Sequence, residues 1–415
     1  MKGVVFSWFF PPETSAEGLV TYKLLKSSRY EYDVYASNKA IWGYTVKSNL
    51  TSKNIHSYLF NASNFDDWKA MCTNLYSIKS NDYNFMMSRS MPPESHEIAL
   101  RIKKERPDLC WLASFGDPIS FNPYEITNVV NDRSFIPSRI KKLMLDYPRT
   151  WINCLNNMGL YSNNVLMRMI KLEKQVFEKA DLLIFPNLKQ CIYSLDKDYN
   201  KYKEKSIILP HSFDTDMIQK EKDIIKNKNG RYTFLYSGYL DLHRNPEPII
   251  LAYEAIKTAS PEIAEKMLII FVGNMPQKFK NMIQIKGLYE NIVVHEPVDY
   301  FTSLKMMNDA DCLIHIDAKF EYKYDSNIFF ASKLADYMGN YKPILGITAK
   351  DSPAYEILKR SNNMVHERED ISGISKSMIE FFSRRCNVDY TYYDTYNSKT
   401  VAALYDEKIS ELIKQ

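Results

Sequence analysis

Three places along the chain carry residue types suited to handling an anion or a proton. Arg244 lies just beyond the strand-like run 232–237 and Gly238, before a helical stretch over 246–257. A guanidinium there can fork onto a pair of phosphate oxygens, and a surface salt bridge is the equal alternative. The second place is 326–346, SNIFFASKLADYMGNYKPILG, which reads loop, helix, turn, strand. Asp325, Ser326 and Asn327 can cap a helix start. Phe329, Phe330, Leu334, Tyr337 and Met338 recur at three- and four-residue spacing, Gly339 and Asn340 supply a left-handed stop, and Ile344 to Ile347 is a short buried strand. Such a helix points its free amides and dipole at whatever occupies the loop, an anion site in waiting. Asp336 lies further down the same helix. The third place is Asp117, in Phe115-Gly116-Asp117-Pro118 after the apolar run 110–114. Catalytic carboxylates sit in such loops, and Gly-Asp-Pro is also ordinary turn chemistry.

Several other chemistries lack their motifs. The loop Pro11 to Gly18 holds no GxGxxG, and no Ser–His–Asp elbow, HExxH or P-loop is present. Asp196-Lys-Asp198 and Asp214-Thr-Asp216 spell DxD, but neither ends a strand of a mixed sheet, so no metal is expected. His211, in Leu209-Pro-His-Ser-Phe-Asp214, reads as a turn-packing histidine rather than a base.

The elements that would carry these residues alternate strand and helix. In the first half, strands are expected at 4–10, 32–36, 54–58, 110–114, 181–185 and 206–209. Helices are expected at 19–25, 66–77, 99–105, 136–144 and 164–177. After a polar, lysine-rich stretch at 220–231 the alternation restarts, with strands at 232–237, 267–273, 292–295, 311–317 and 344–347, about five βα units. Helices at 371–382 and 401–414 close the chain. Alternation of this kind predicts parallel sheets with right-handed crossovers. Ligands then bind at the carboxyl ends of the strands, which puts Pro11–Gly18, Asp117, Arg244 and the loop at Pro297-Val298 on the functional rims.

At 415 residues the chain exceeds one ordinary core, and two domains follow. Six cysteines with no CxxC suit a reducing compartment. The apolar start MKGVVFSWFFPP is too short for a signal peptide and reads as a first strand. No run approaches a membrane span. Net charge is +7 over residues 1–208 and −3 beyond them. The excess gathers at Arg101, Lys103, Lys104 and Arg106, and at Arg133, Arg139, Lys141, Lys142 and Arg149. With Ile136, Ile140, Leu143 and Met144, the second group makes a short basic amphipathic helix of the kind that lies on anionic bilayers. An ordinary solvated helix face reads the same way.

In order and spacing these stations resemble the GT-B nucleotide-sugar glycosyltransferases, the family 4-like retaining group in particular. Phe10-Pro-Pro-Glu-Thr-Ser-Ala-Glu-Gly18 resembles their first glycine loop, and Ala180-Asp181-Leu-Leu-Ile their "AD" strand. Leu209-Pro-His-Ser-Phe-Asp214 is similar to their domain-joint turn. Tyr236-Ser-Gly-Tyr-Leu with Arg244-Asn-Pro resembles the donor-phosphate loop, and Ser332-Lys333-Leu-Ala-Asp336-Tyr-Met-Gly the donor helix. The resemblance implies an α/β protein of two Rossmann-like, doubly wound domains facing across a cleft. Residues 1–208 would bind acceptor and 209–385 the nucleotide-sugar, with 386–415 crossing back. It implies sugar transfer, hexosyl and retaining, from a UDP or GDP donor to a glycan or lipid-linked glycan, in bacterial-type surface polysaccharide synthesis. The enzyme would be cytoplasmic or peripheral at the inner membrane face, with no cofactor, no metal and no nucleic acid. Arg244 and Lys333 would neutralise the leaving diphosphate, with Asp117 as the third catalytic candidate. Gly238, Val298, Asn327, Ser332 and Asp336 would complete the donor site, and Ser15 and Gly18 the acceptor side. Asp336 takes the place of the second glutamate of the family's E-x7-E pair. The first falls on Ile328, so Ser326, Asn327 or main chain must substitute. A non-catalytic subunit that lost this glutamate, or an epimerase on the same fold, remain the alternatives.

Overall fold

Short apolar runs separated by amphipathic helices bury both faces of a parallel sheet, and the chain builds two such sheets. The computed structural model describes residues 1–39, 48–131, 137–158, 164–219, 230–320, 327–383 and 387–414. Among them β1 (Lys2–Phe6), β2 (Glu31–Ser37), β3 (Ile55–Phe60), β4 (Phe85–Arg89), β5 (Cys110–Ser114), β6 (Leu182–Phe185) and β7 (Ser206–Ile208) form one parallel sheet in the order 3-2-1-4-5-6-7. The second sheet holds β8 (Tyr232–Ser237), β9 (Met267–Val272), β10 (Ile292–His295), β11 (Cys312–Ile316), β12 (Ile344–Ile347) and β13 (Met364–His366), ordered 10-9-8-11-12-13. Each order reverses once, between β1 and β4 and between β8 and β11. Crevices open at such switch points, outside the carboxyl ends of the strands.

The chain divides into two compact units. The first comprises Met1–Pro210, Glu321–Ile328 and Val401–Gln415, and the second His211–Phe320 and Phe329–Thr400. Phe6, Trp68, Met86 and Trp111 are sealed in the core of the first. Phe234, Tyr236, Tyr253, Ile269 and Phe271 fill that of the second. Each such side chain contributes about 1.5–3 kcal/mol when removed from water. The closing helix, Ser398–Lys414, belongs to the first unit beyond Thr400 because Asp406 is bonded there. Its carboxylate accepts from the Ser28 hydroxyl at 2.5 Å and the Arg29 amide at 2.9 Å.

Three sequence expectations change. The second sheet has six strands, not five units' worth, and β4 completes the first. Both unforeseen strands are short; Phe-Met-Met-Ser-Arg in β4 and Met-Val-His in β13 contain a single β-branched residue between them, which mutes the strand signal. The donor-type helix begins at Ser332, with Ala331 as its extended cap residue, rather than near Phe329. Phe329 and Phe330 follow the helical spacing but belong to the preceding loop. Phe330 is buried with its ring 5.3 Å from His211 and 5.8 Å from Tyr396, so tertiary packing claims it. The expected caps Asp325 and Ser326 lie outside the described residues, as do Arg133, Ile136 and most of 220–231. The left-handed stop is Tyr341, at φ +51°, not Gly339 or Asn340. Gly339 serves packing instead: a Cβ there would lie 2.4 Å from Ile218 and 2.6 Å from Phe213.

The basic excess is partly internal. Lys103 bonds the Asp181 carboxylate at 2.6 Å and the Leu109 carbonyl at 2.9 Å, and Arg106 pairs with Asp108. The Ser138–Asp146 helix does present a mixed face. Ile140 and Leu143 are 50% and 60% exposed beside exposed Arg139 and Lys142, while Met144 turns inward. Among the described residues no helix is long and apolar enough to cross a membrane.

Candidate active site

The switch point of the second sheet gathers most of the anion-handling residues. β8 ends at Gly238, whose φ of +134° favours glycine, and a Cβ there would lie 2.5 Å from the Lys333 ammonium nitrogen. Next to it Gly273, at φ +127°, brings its α-carbon against the Gly238 carbonyl, 2.2 Å from where a Cβ would stand. These glycines let two strand ends and a lysine share one small volume. Gly273→Ala is expected to lower stability by roughly 2 kcal/mol or more, from backbone strain plus collision. Urea unfolding checks this, and an unchanged midpoint would contradict the packing.

Lys333 is the second residue of the Ser332–Gly339 helix and reaches back to β8. Its ammonium donates to the Tyr236 hydroxyl at 2.6 Å and stands 4.2 Å from that ring's centre. The Tyr236 hydroxyl in turn donates to the Tyr239 carbonyl at 2.9 Å. Burial, and then the charge of Arg244, push the Lys333 ammonium well below the ordinary lysine range, while Asp317 and Asp241 act the other way. The Lys333 amine thus sits in poorly solvated surroundings under the influence of the Arg244 charge, and an arriving dianion would favour its charged form. Arg244 is fixed through its main chain: its amide donates to the Asp241 carboxylate at 2.6 Å, closing the turn after β8. Asp317, one residue past β11, is buried with one oxygen 3.2 Å from His315 Nε2.

The other donor-side candidates spread along the rim. Asp336 is only 5% exposed and accepts from the Tyr300 hydroxyl at 3.1 Å. That hydroxyl's own proton is held the more firmly for it, after burial. Val298 is 38% exposed in the next loop, two residues before Tyr300. Ser332 opens the helix without a side-chain cap bond. Asn327 and Ile328 group with the first unit. Ile328 is wholly buried, and its carbonyl accepts from Asn187 at 2.9 Å, so an enclosed apolar side chain stands where the resemblance would put the first glutamate.

In the first unit the rim residues also have structural partners. Ser15 accepts from the Gly18 amide at 3.2 Å and so caps the Ala16–Ser27 helix. Gly18 is small because a Cβ would press on the Phe10 backbone at 3.1 Å. The polar groups at this switch point are Glu17 and Arg89. The Arg89 guanidinium, nearly sealed, bonds the Glu17 carboxylate and the Ser114 hydroxyl, each at 2.9 Å. Glu17 also packs where a Cβ on Gly116 would stand, at 2.7 Å. Asp117 follows, partly buried, in a loop held from behind. Buried Glu173 accepts from the amides of Ile119 and Ser120 and from the Ser120 hydroxyl, and Gln190 donates to the Gly116 carbonyl. His96 nearby offers no base. Burial and Arg89 hold it down to about 3, and its Nδ1 shares a hydrogen bond with the Ser88 hydroxyl, whose oxygen accepts from Trp111.

Sequence reasoning gave no role to Asp241, Asp317, Arg368 and Arg89, and quoted Tyr236 and Glu17 only within motifs. Asp317 and Tyr236 had a usable signal, since each closes or nearly closes an expected strand. Arg89 and Arg368 had none, because β4 and β13 were not foreseen. Asp214 is a capping residue, its carboxylate accepting from the Asp216 amide at 2.9 Å.

Compared with solved structures, the chain superposes along its whole length. A sucrose-phosphate synthase from Thermosynechococcus elongatus matches at a TM-score of 0.66 and 11% identity, over 100% of this chain and 99% of that one. The fold is GT-B. A trehalose-6-phosphate protein from E. coli, determined with UDP-2-fluoro glucose, matches this GT-B chain at 0.63 and 12%, over 100% and 99%. WaaG, a glycosyltransferase involved in lipopolysaccharide biosynthesis, matches at 0.58 and 14%, over 99% of each chain. No protein-family profile and no curated protein sequence matches the chain.

Proposed function

We propose that this GT-B protein is a glycosyltransferase that moves a sugar from a nucleotide diphosphate donor to a glycan acceptor. The observation that carries the reading is the paired cation site of Arg244 and Lys333 at the β8–β11 switch point, closed in by Gly238 and Gly273. As the glycosidic bond to the diphosphate breaks, negative charge grows on the leaving phosphate. Fixed cations in a poorly solvated pocket stabilise that charge more than the ground state, which is what accelerates the step. The amides opening the Ser332–Gly339 helix add to the same field. Asp336 with Tyr300 would bound the ribose, and the loop at Val298 the base. Asp117, Ser15, Gly18, Glu17 and Arg89 would line the acceptor side. Transfer is proposed to be of a hexose with retention, from UDP or GDP, without metal or cofactor, within cell-surface polysaccharide synthesis.

The buried Ile328 favours a second reading, a GT-B subunit that binds donor without transferring. One experiment separates the two. The protein is incubated with UDP-, GDP-, ADP- and CDP-sugars, with and without a panel of glycan acceptors, and nucleotide release is followed. Acceptor-stimulated release supports transfer. Donor binding with no release under any condition supports the subunit, and sugar conversion without acceptor an epimerase.

A lipid-linked acceptor would bring the protein to a membrane face, and the exposed Ile140 and Leu143 between Arg139 and Lys142 suit that contact. Reversing Arg139 and Lys142 to glutamate is expected to abolish pelleting with vesicles rich in anionic lipid. Unchanged pelleting would remove this helix from the account.

A further inference from the structure

The loops that carry the candidate phosphate cations are tied together by one side chain from a third loop. Arg368 stands two residues past β13, before the Ile371–Phe382 helix. Its Nη2 donates to the Asp317 carbonyl at 2.8 Å and to the His243 carbonyl. Asp317 is the first residue after β11, and His243 immediately precedes Arg244. The same knot includes the Lys319 amide, which donates to the His243 carbonyl at 3.1 Å. The His243 ring lies on Phe320 with centroids 4.5 Å apart, and Lys319 pairs with Glu369 at 2.5 Å. In the sheet order β8-β11-β12-β13, Arg368 therefore reaches back across β12 to two loops on either side of the switch point.

An arginine nitrogen spent on two main-chain carbonyls is not available as a phosphate ligand. It fixes backbone instead. One bond holds the peptide leading into Arg244, and the other holds the strand end that presents Asp317. We propose that Arg368 is a positioning residue that pre-sets the backbone carrying Arg244, and the strand end beside it, for a diphosphate before the ligand arrives. Fixed donors cost no reorganisation when the charge appears, and an ångström of misplacement is enough to lose about a hundredfold. The inference rests on the reading of Arg244 and Lys333 as the diphosphate site.

The test is calorimetric titration of the full-length protein with UDP, UMP, GDP and GMP. It compares wild type, Arg368→Ala, Arg368→Lys and Arg244→Ala. In Arg368→Ala the affinity for the preferred diphosphate is expected to fall at least about tenfold while that for its monophosphate changes less than about twofold. Arg368→Lys is expected to recover part of the ratio, because an ammonium also donates to carbonyls. A merely structural arginine would weaken both nucleotides together, alongside the unfolding midpoint. A wild-type ratio in Arg368→Ala, or in Arg368→Lys and Arg368→Gln should the alanine variant not fold, overturns the positioning role. If Arg244→Ala still loses the ratio, the diphosphate reading stands without it; if Arg244→Ala keeps the ratio, that reading fails and the inference with it.

Discussion

Arg244→Ala is expected to lower donor turnover by roughly 10- to 100-fold, the loss of one charge-assisted hydrogen bond at about 1.5–3 kcal/mol being the scale. The effect should fall on turnover more than on stability. The Arg244 side chain projects from a turn that is closed by its own amide and Asp241, which alanine leaves in place. Initial rates with the best donor from the panel, together with the unfolding midpoint, check both halves. A rate within about twofold of wild type would remove Arg244 from the phosphate site.

Lys333→Met is the second large effect, and its sign differs between activity and stability. Turnover should fall by a similar factor. Stability near neutral pH should hold or rise, because folding moves this ammonium out of water and depresses its pKa. The unfolded chain binds a proton that the folded chain releases, so between the two pKa values the wild type gains stability as pH rises. Methionine removes that cost, and the Tyr236 hydroxyl keeps its bond to Tyr239. The same depression makes ligand binding pH-linked. A bound diphosphate favours the charged amine and raises its pKa, so binding takes up a proton, and affinity falls as pH rises through the free-state pKa. Titrations in buffers of different ionisation enthalpy should detect uptake in wild type and less in Lys333→Met. Equal uptake in both would assign the proton elsewhere.

The elements legible in the sequence were those whose composition matched their burial. Val-Val-Phe in β1, the Tyr-Asp-Val-Tyr of β2, Leu-Leu-Ile-Phe in β6 and the apolar β9 and β12 announce themselves, because β-branched, aromatic and aliphatic residues suit a sheet covered on both faces. The Met-rich β4 and the three-residue β13 did not, and with them went Arg89 and Arg368. Phe329 and Phe330 illustrate the opposite failure. Their spacing continues a helix, yet contacts with His211 and Tyr396 hold Phe330 in a loop, something no local pattern encodes. Of the candidate site, Gly238 and Arg244 carry a local signal, a glycine at a strand end and a cation past it, whereas Lys333 came only from the resemblance. Ser15 and Gly18 also serve helix capping and close packing, roles that a sequence cannot distinguish from ligand contact. The Glu17–Arg89 pair required the fold to join residues 72 positions apart.

The most direct measurement is the affinity of the wild-type protein for UDP against UMP and GDP against GMP, by calorimetry at neutral pH. Paired cations aimed at a leaving phosphate predict that one diphosphate binds at least about tenfold tighter than its monophosphate. Equal affinities within each pair, or no binding of either diphosphate, would contradict the account.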